Sequence, residues 1–258
     1  MKIGWLDAFE YRTEFFIGYL GWFVSLIISV FIWRAVAEGS GGTIGNYNLT
    51  GLITYLLIIQ ILRTFVFSRS GFTINQDIQR GELSNWLMRP VSYLKAQFVI
   101  ELANNVLRGL MGIVIFGVLI LLYNPDLLKT FTTIKILGSI GFMLLGHTIS
   151  FLLITVVALS AFWVTNANRF LFIYFSFLTI FSGMIIPLDL FPARFLPYIS
   201  NSPLAYIFYH PAKYIQSGLP SDALIPVVWH GILYLAILIL VVSLIYLRGL
   251  RRYEAVGK

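Results

Sequence analysis

Glu101, Asn104, Asn105 and Arg108 stand at i, i+3, i+4 and i+7, so a helix through them carries all four on one face. They open a long apolar run. Charge in hydrocarbon is costly, so the stripe must face protein, a water-filled cavity or the cytoplasmic boundary. Two roles fit it: a polar seam packed between helices, or the inner mouth of a solute path. Arg63, near the inner end of the preceding apolar run, is the expected partner of Glu101. His147 lies midway along another apolar run beside Thr148 and Ser150. A histidine there is either a hydrogen-bonded packing residue or a proton relay or ligand contact. No carboxylate sits near the middle of any apolar run, which weighs against a proton-driven carrier. His210 and His230 are not at ligand spacing and cysteine is absent, so neither a metal site nor a thiol nucleophile is expected.

The stretch Asn75 to Val91 is polar and lies between two apolar runs. Leu83, Trp86 and Leu87 fall at i, i+3 and i+4, so a short helix presents them as one apolar knob. Glu82 suits the positive end of that helix, Gly81 separates it from what precedes, and Arg89-Pro90 ends it. Such a knob either anchors the segment at lipid headgroups or docks a soluble partner through a central aromatic residue. In the leader, Trp5, Leu6 and Phe9 share one face and Asp7, Glu10 and Glu14 another, the pattern of a helix lying along the inner membrane surface.

The elements that must position these residues follow from composition. Of 258 residues 59% are apolar or aromatic and 11% charged, too little polar surface to cover a soluble globule of this size. Six charge-poor runs, 15–33, 49–67, 98–123, 136–164, 170–186 and 227–247, are each near the length of a spanning helix, and backbone groups in lipid must pair internally. An all-α membrane protein of one domain, residues 1–258, is therefore expected. With the N-terminus inside, twelve Lys and Arg lie on the side of the termini and five on the other, so both termini are expected in the cytoplasm. The net charge of +7 thus reports topology; no basic run exceeds Arg251-Arg252, and no nucleic-acid partner is expected. Gly21, Ser25 and Ser29 recur every four residues in the first span, a spacing that lets helix backbones approach closely. Residues 187–226 hold seven of the nine prolines. Pro187, Pro192 and Pro197 forbid one continuous helix, yet the residues between them are too apolar for an open loop. A hairpin dipping part-way into the outer leaflet satisfies both conditions, and an interfacial aromatic belt is the other reading.

The pattern Gly-Glu-Leu-x-x-x-Leu-x-x-Pro-Val at residues 81–91, after the second of six spans, resembles the permease subunits of ABC-2 type exporters. The resemblance covers most of the chain: polar leader, six spans, both termini inside, and a proline-rich outer hairpin before the last span. It implies that this segment is a coupling helix docking into an ATPase subunit, with Asp77, Arg80, Gly81, Glu82, Leu83, Trp86, Leu87, Arg89 and Pro90 as the coupling residues. The stretch Gly183 to Pro192 is similar to the opening of the family's re-entrant outer helices, which implies an outer gate built from Gly183, Pro187, Leu188, Phe191, Pro192 and Phe195. It implies a second permease, identical or related, packed through span one, although packing within one chain also fits the small residues there. No Gly-x-x-x-x-Gly-Lys-Ser/Thr phosphate loop occurs, so the chain is not expected to be an enzyme in its own right. The resemblance implies two separate ATPase subunits that bind ATP and Mg, and outward movement of an amphipathic drug, natural product, lipid or glycan across the cell membrane. An ATPase-independent secondary transporter and a non-transporting anchor for an ATPase-driven surface machine are the alternatives.

Overall fold

The computed structural model describes the backbone of residues 3–165 and 167–253, and the side chains of these apart from residues 3–19, 22 and 221. Among the described residues the chain is helical. Helix α1 runs Ile3–Gly39, and a two-residue hairpin pair, β1 (Thr43–Ile44) and β2 (Tyr47–Asn48), leads into α2 (Leu49–Phe65). Then come α3 (Ser70–Gln79), α4 (Leu83–Leu87), α5 (Tyr93–Tyr123), α6 (Asp126–Lys129), α7 (Thr133–Ala158) and α8 (Asn168–Phe181). After a 3-10 turn at Leu188–Leu190 follow α9 (Leu196–Ser200), another at Pro203–Tyr206, α10 (Tyr209–Ser217) and α11 (Ser221–Arg252).

Local chemistry sets several of these ends. Asn48 caps α2 by accepting from the Gly51 N–H at 2.7 Å, which occupies the side chain of an Asn-x-Thr triplet. Thr132 caps α7 in the same way from Lys135 N–H. The core centres on α2: Leu52, Tyr55, Ile58, Ile59 and Leu62 are fully buried on successive faces, so α2 is enclosed on all sides. Helix α5 approaches it through glycines. A Cβ on Gly109 would stand 2.4 Å from the Phe65 ring, and one on Gly112 would stand 2.5 Å from Thr64 Oγ1.

Four helices among the described residues are long and apolar enough to cross a membrane: Leu49–Gln79, Tyr93–Tyr123, Thr133–Phe162 and Asp222–Arg252. Three details depart from the expected six-span plan. The expected second span ended at residue 67, but after a break at 66–69 the chain re-enters a helix, α3. The fifth expected span, 170–186, is helical only to Phe181, and its 14 residues reach about 21 Å at 1.5 Å per residue. It stops because Gly183 takes a φ of 85°, a left-handed conformation that glycine adopts without strain. The leader is not a separate helix either: backbone from Ile3 to Gly39 is one uninterrupted α-helix. The face of Trp5, Leu6 and Phe9 lies outside the described side chains.

The proline-rich segment folds inward. Tyr206, Ile207 and Phe208 are fully buried, and α10 packs against α7 and α2 with Tyr209, His210, Pro211, Ala212 and Tyr214 buried. Room for it comes from small residues on α7. A Cβ on Gly146 would lie 2.6 Å from the Tyr206 carbonyl oxygen, and one on Gly138 would overlap the Tyr214 phenol.

Candidate functional site

At the end of the bundle that carries α4, the backbone break between α2 and α3 leaves amide groups needing acceptors. Glu101 supplies them from α5. Its carboxylate accepts from Ser68 Oγ at 2.6 Å, from Ser70 N–H at 2.9 Å, and from the Arg69 N–H. Ser68 N–H in turn donates to Ser150 Oγ at 3.1 Å, and Asn105 Nδ2 to the Phe67 carbonyl at 3.0 Å. His147 is buried 3.4 Å from Asn105 and packs on Phe98. The polar stripe therefore divides. Glu101 and Asn105 turn inward to the break, Asn104 is exposed, and Arg108 is half-buried. Arg63 donates to Gln60 one turn back at 3.3 Å, and the contacts of Glu101 described above all lie on residues 68–70.

The far end of α3 is tied to the same helix. Asp77, 7% exposed, accepts from the Tyr93 hydroxyl at 2.6 Å and from Gln97 Nε2 at 3.4 Å. Asn75 reaches Asn168 of α8 at 2.6 Å, and Gln79 the Thr165 carbonyl at 2.7 Å. Both ends of α3 are thus held on α5, with lateral ties toward α8.

Gly81, with φ 81°, turns the chain from α3 into α4, whose limits match those expected from Gly81 and Arg89-Pro90. The knob itself is different. Leu83 is fully buried in the core, and Trp86 is half-buried, edge-on to Tyr93 at 5.7 Å and under the Arg89 guanidinium at 4.5 Å. The exposed apolar tip is Leu87, Met88 and Val91, flanked by exposed Arg80, Glu82, Arg89 and Pro90. Asp77 and Leu83 therefore brace the segment from inside and do not lie on its surface, because a five-residue helix after a tight turn must bury one side to hold its place. Met88 and Val91 lie past the Leu83–Leu87 helix, so the i, i+3, i+4 spacing does not pick them out.

At the opposite end, Asp189 gathers three elements. It accepts from Tyr47 on β2 at 2.7 Å and from the Tyr209 hydroxyl, and it pairs with Lys213 Nζ at 2.8 Å. Lys213 also donates to the Tyr47 hydroxyl at 3.2 Å. Burial acts to raise the Asp189 carboxyl, but the Lys213 ammonium and the two phenols outweigh it and hold its pKa below the ordinary carboxylate value. Burial pushes His210 down to about 4, against the opposing pull of its bond to the Ser200 carbonyl and of Asp189. Of the expected gate residues, Gly183 stands at the turn that ends α8, and its carbonyl accepts from the buried Tyr55 hydroxyl at 2.6 Å. Pro187 and Leu188 are buried, and Phe191 packs on the small cluster of Leu188, Ala205 and Tyr209. Pro192 and Phe195 are exposed, with Arg194 over the Phe195 ring. The residues that lock this end, Tyr47, Tyr55, Asp189, Tyr209 and Lys213, were missed. The available signal was the few charges, Asp189, Arg194, Lys213 and Asp222, standing among the apolar residues of 187–226.

Among the described residues no three His, Asp or Glu side chains cluster as a metal site. The two ends thus carry a helix braced on α5 at one and a polar cluster around Asp189 at the other. The family model described as ABC-2 family transporter protein matches residues 23–257. The chain belongs to the ABC-2 transporter family. No curated protein and no solved structure gives a match. As an ABC-2 permease it is a multi-pass membrane component of an ABC transporter, without an ATPase motif of its own, and permeases of this family work with ABC ATPase subunits.

Proposed function

We propose that this permease is the membrane-spanning half of an ATP-driven exporter that moves an amphipathic substrate outward across the cell membrane. Two separate ATPase subunits bind ATP and Mg, and a second permease, identical or related, completes the path. Residues 1–258 act as one permease domain crossing six times with both termini in the cytoplasm. The helix α8 crosses with the non-helical residues that follow it. Backbone off the helical ladder is tolerated at membrane depth only where protein covers it, and Ser182 and Gly183 are buried and hydrogen-bonded to Tyr209 and Tyr55.

The observation that carries this reading is the brace at α3. Glu101 grips its first residues and Tyr93 and Gln97 hold its last turn, so force applied at the tip of Leu87, Met88 and Val91 moves α5 with it. An ATPase pair closing on nucleotide pushes that tip. The rigid-body motion reaches the outer end, where the Asp189 latch and the Gly183 hinge close the exit. Co-expression of the permease with its ABC ATPase tests this. Glu82→Ala and Leu87→Asp are expected to insert normally yet lose most substrate-stimulated ATP hydrolysis, since one or two central contacts dominate such docking. Unchanged stimulation in both variants refutes the coupling role. Transport that persists in liposomes lacking any ATPase refutes ATP-driven export itself.

A further inference from the structure

On the α4 end of the bundle, α5, α7 and α11 enclose a groove of about 690 Å³ open to the side. Its walls are Phe98 and Val99 of α5, Phe151 and Leu152 of α7, and Val242 and Leu247 of α11. We propose that this groove binds one anionic phospholipid, with acyl chain along the walls and phosphate at Lys95. The volume falls within the range of sites that enclose a small organic ligand, which is about 300–1,000 Å³. The body of the groove offers little to a polar guest. The Thr148 hydroxyl already donates to the Leu144 carbonyl at 2.8 Å, and Ser243 to the Ile239 carbonyl at 2.7 Å, so these two are spent within their own helices and the Tyr246 phenol is the remaining wall hydroxyl.

The rim is the opposite. Lys95 is the one charged residue lining the groove, and no carboxylate lines it. Among the described residues Lys95 is exposed and has no ion-pair partner. Ser92 shares that rim, and its side chain makes no cap bond to α5, leaving the hydroxyl available. Arg248 continues α11 directly beyond Leu247 and is exposed at the same end. An apolar slot with a purely basic mouth at a membrane face matches a lipid with a negative headgroup, and it discriminates against a zwitterionic one by about the attraction of one Lys to an anionic surface. A site between helices differs from the general lipid belt because three helices contact the same molecule.

Native mass spectrometry of the full-length protein tests this, with phosphatidylglycerol and phosphatidylcholine of matched chains as probes. Neither ATPase nor transport is involved, so the result is independent of the coupling mechanism. The wild type is expected to retain phosphatidylglycerol about five-fold over phosphatidylcholine, the ratio that one such Lys contributes. Lys95→Glu should abolish that preference. Val99→Trp, at a side chain 61% exposed and therefore tolerant of size, should fill the groove and lower retention of both lipids. Lys129→Glu, on α6, serves as the control and should change neither. Equal retention of the two lipids by the wild type, or an unaltered preference in Lys95→Glu, overturns the proposal.

Discussion

A carboxylate among apolar helices needs donors, and Glu101 takes its donors from the broken backbone of a neighbouring segment. The bonds to Ser68, Arg69 and Ser70 make it the cap of a helix to which it does not belong. Glu101→Gln keeps the shape but gives up charge-assisted acceptance at three donors, so a loss of about 1–3 kcal/mol is expected. Thermal unfolding together with hydrogen exchange across 68–79 measures it, and exchange unchanged there would show that the cap does not hold α3. His210 gives the Asp189 end of the bundle a pH dependence. Burial lowers its pKa to about 4, whereas the unfolded chain titrates near about 6.5. Between those values the unfolded chain binds a proton that the folded one excludes. Stability is therefore complete above about pH 6.5 and declines as pH falls toward 4. The facing carboxylate, Asp189, has its pKa lowered in the fold, so its contribution is lost only at lower pH, as the solution passes below the ordinary carboxylate range. Faster hydrogen exchange in 196–217 at pH 5 than at pH 7, allowing for intrinsic rates, is the expected signature, and His210→Gln should flatten it. An equal response in the variant would assign the effect elsewhere.

At the scale of elements, the 203–217 arm is admitted by the absence of side chains on α7. Gly146 faces the Tyr206 carbonyl, a backbone atom that cannot rotate away. Gly146→Leu should force the 203–217 arm off α7 at a cost of about 1–3 kcal/mol from overpacking, visible as a lowered thermal midpoint. Gly141, whose Cβ would meet nothing within 4 Å, is the matched control, and equal effects at the two glycines would mean that the close approach is not what matters. The two ends of the bundle differ in the same physical way. The latch at Asp189 joins residues 142 positions apart, whereas α4 is shaped by the residues on either side of it.

For the whole molecule, the apolar exterior includes one surface suited to the second permease proposed above. Along α1, Leu20, Val24, Ile28 and Phe31 are exposed, and nothing among the described residues stands within 4 Å of a Cβ at Gly21. The small residues Gly21, Ser25 and Ser29 lie on that open side, which weighs against packing within one chain. The natural chain has no cysteine, so a single introduced thiol reports on it cleanly. Ser25→Cys is expected to cross-link two copies in membranes, while Val114→Cys, on the outer surface of α5, should not. Cross-linking only at Val114 would move the interface to α5.

Membrane residence and the helical class follow from apolar run length, and the bounds of α4 follow from Gly81 and Pro90. These properties depend on hydropathy and local backbone sterics, which a single strand of sequence carries in full. The break in helix across 187–203 was legible for a similar reason, since three prolines exclude a continuous helix. Tertiary structure alone decided which side of the 83–87 helix turns inward. It also gave Glu101 its partners on 68–70, shortened α8, and brought Tyr47, Asp189, Tyr209 and Lys213 together. Each of these depends on which distant surfaces meet, and a buried polar group is satisfied by whatever donor the packing delivers, a relation that spacing along the chain does not encode.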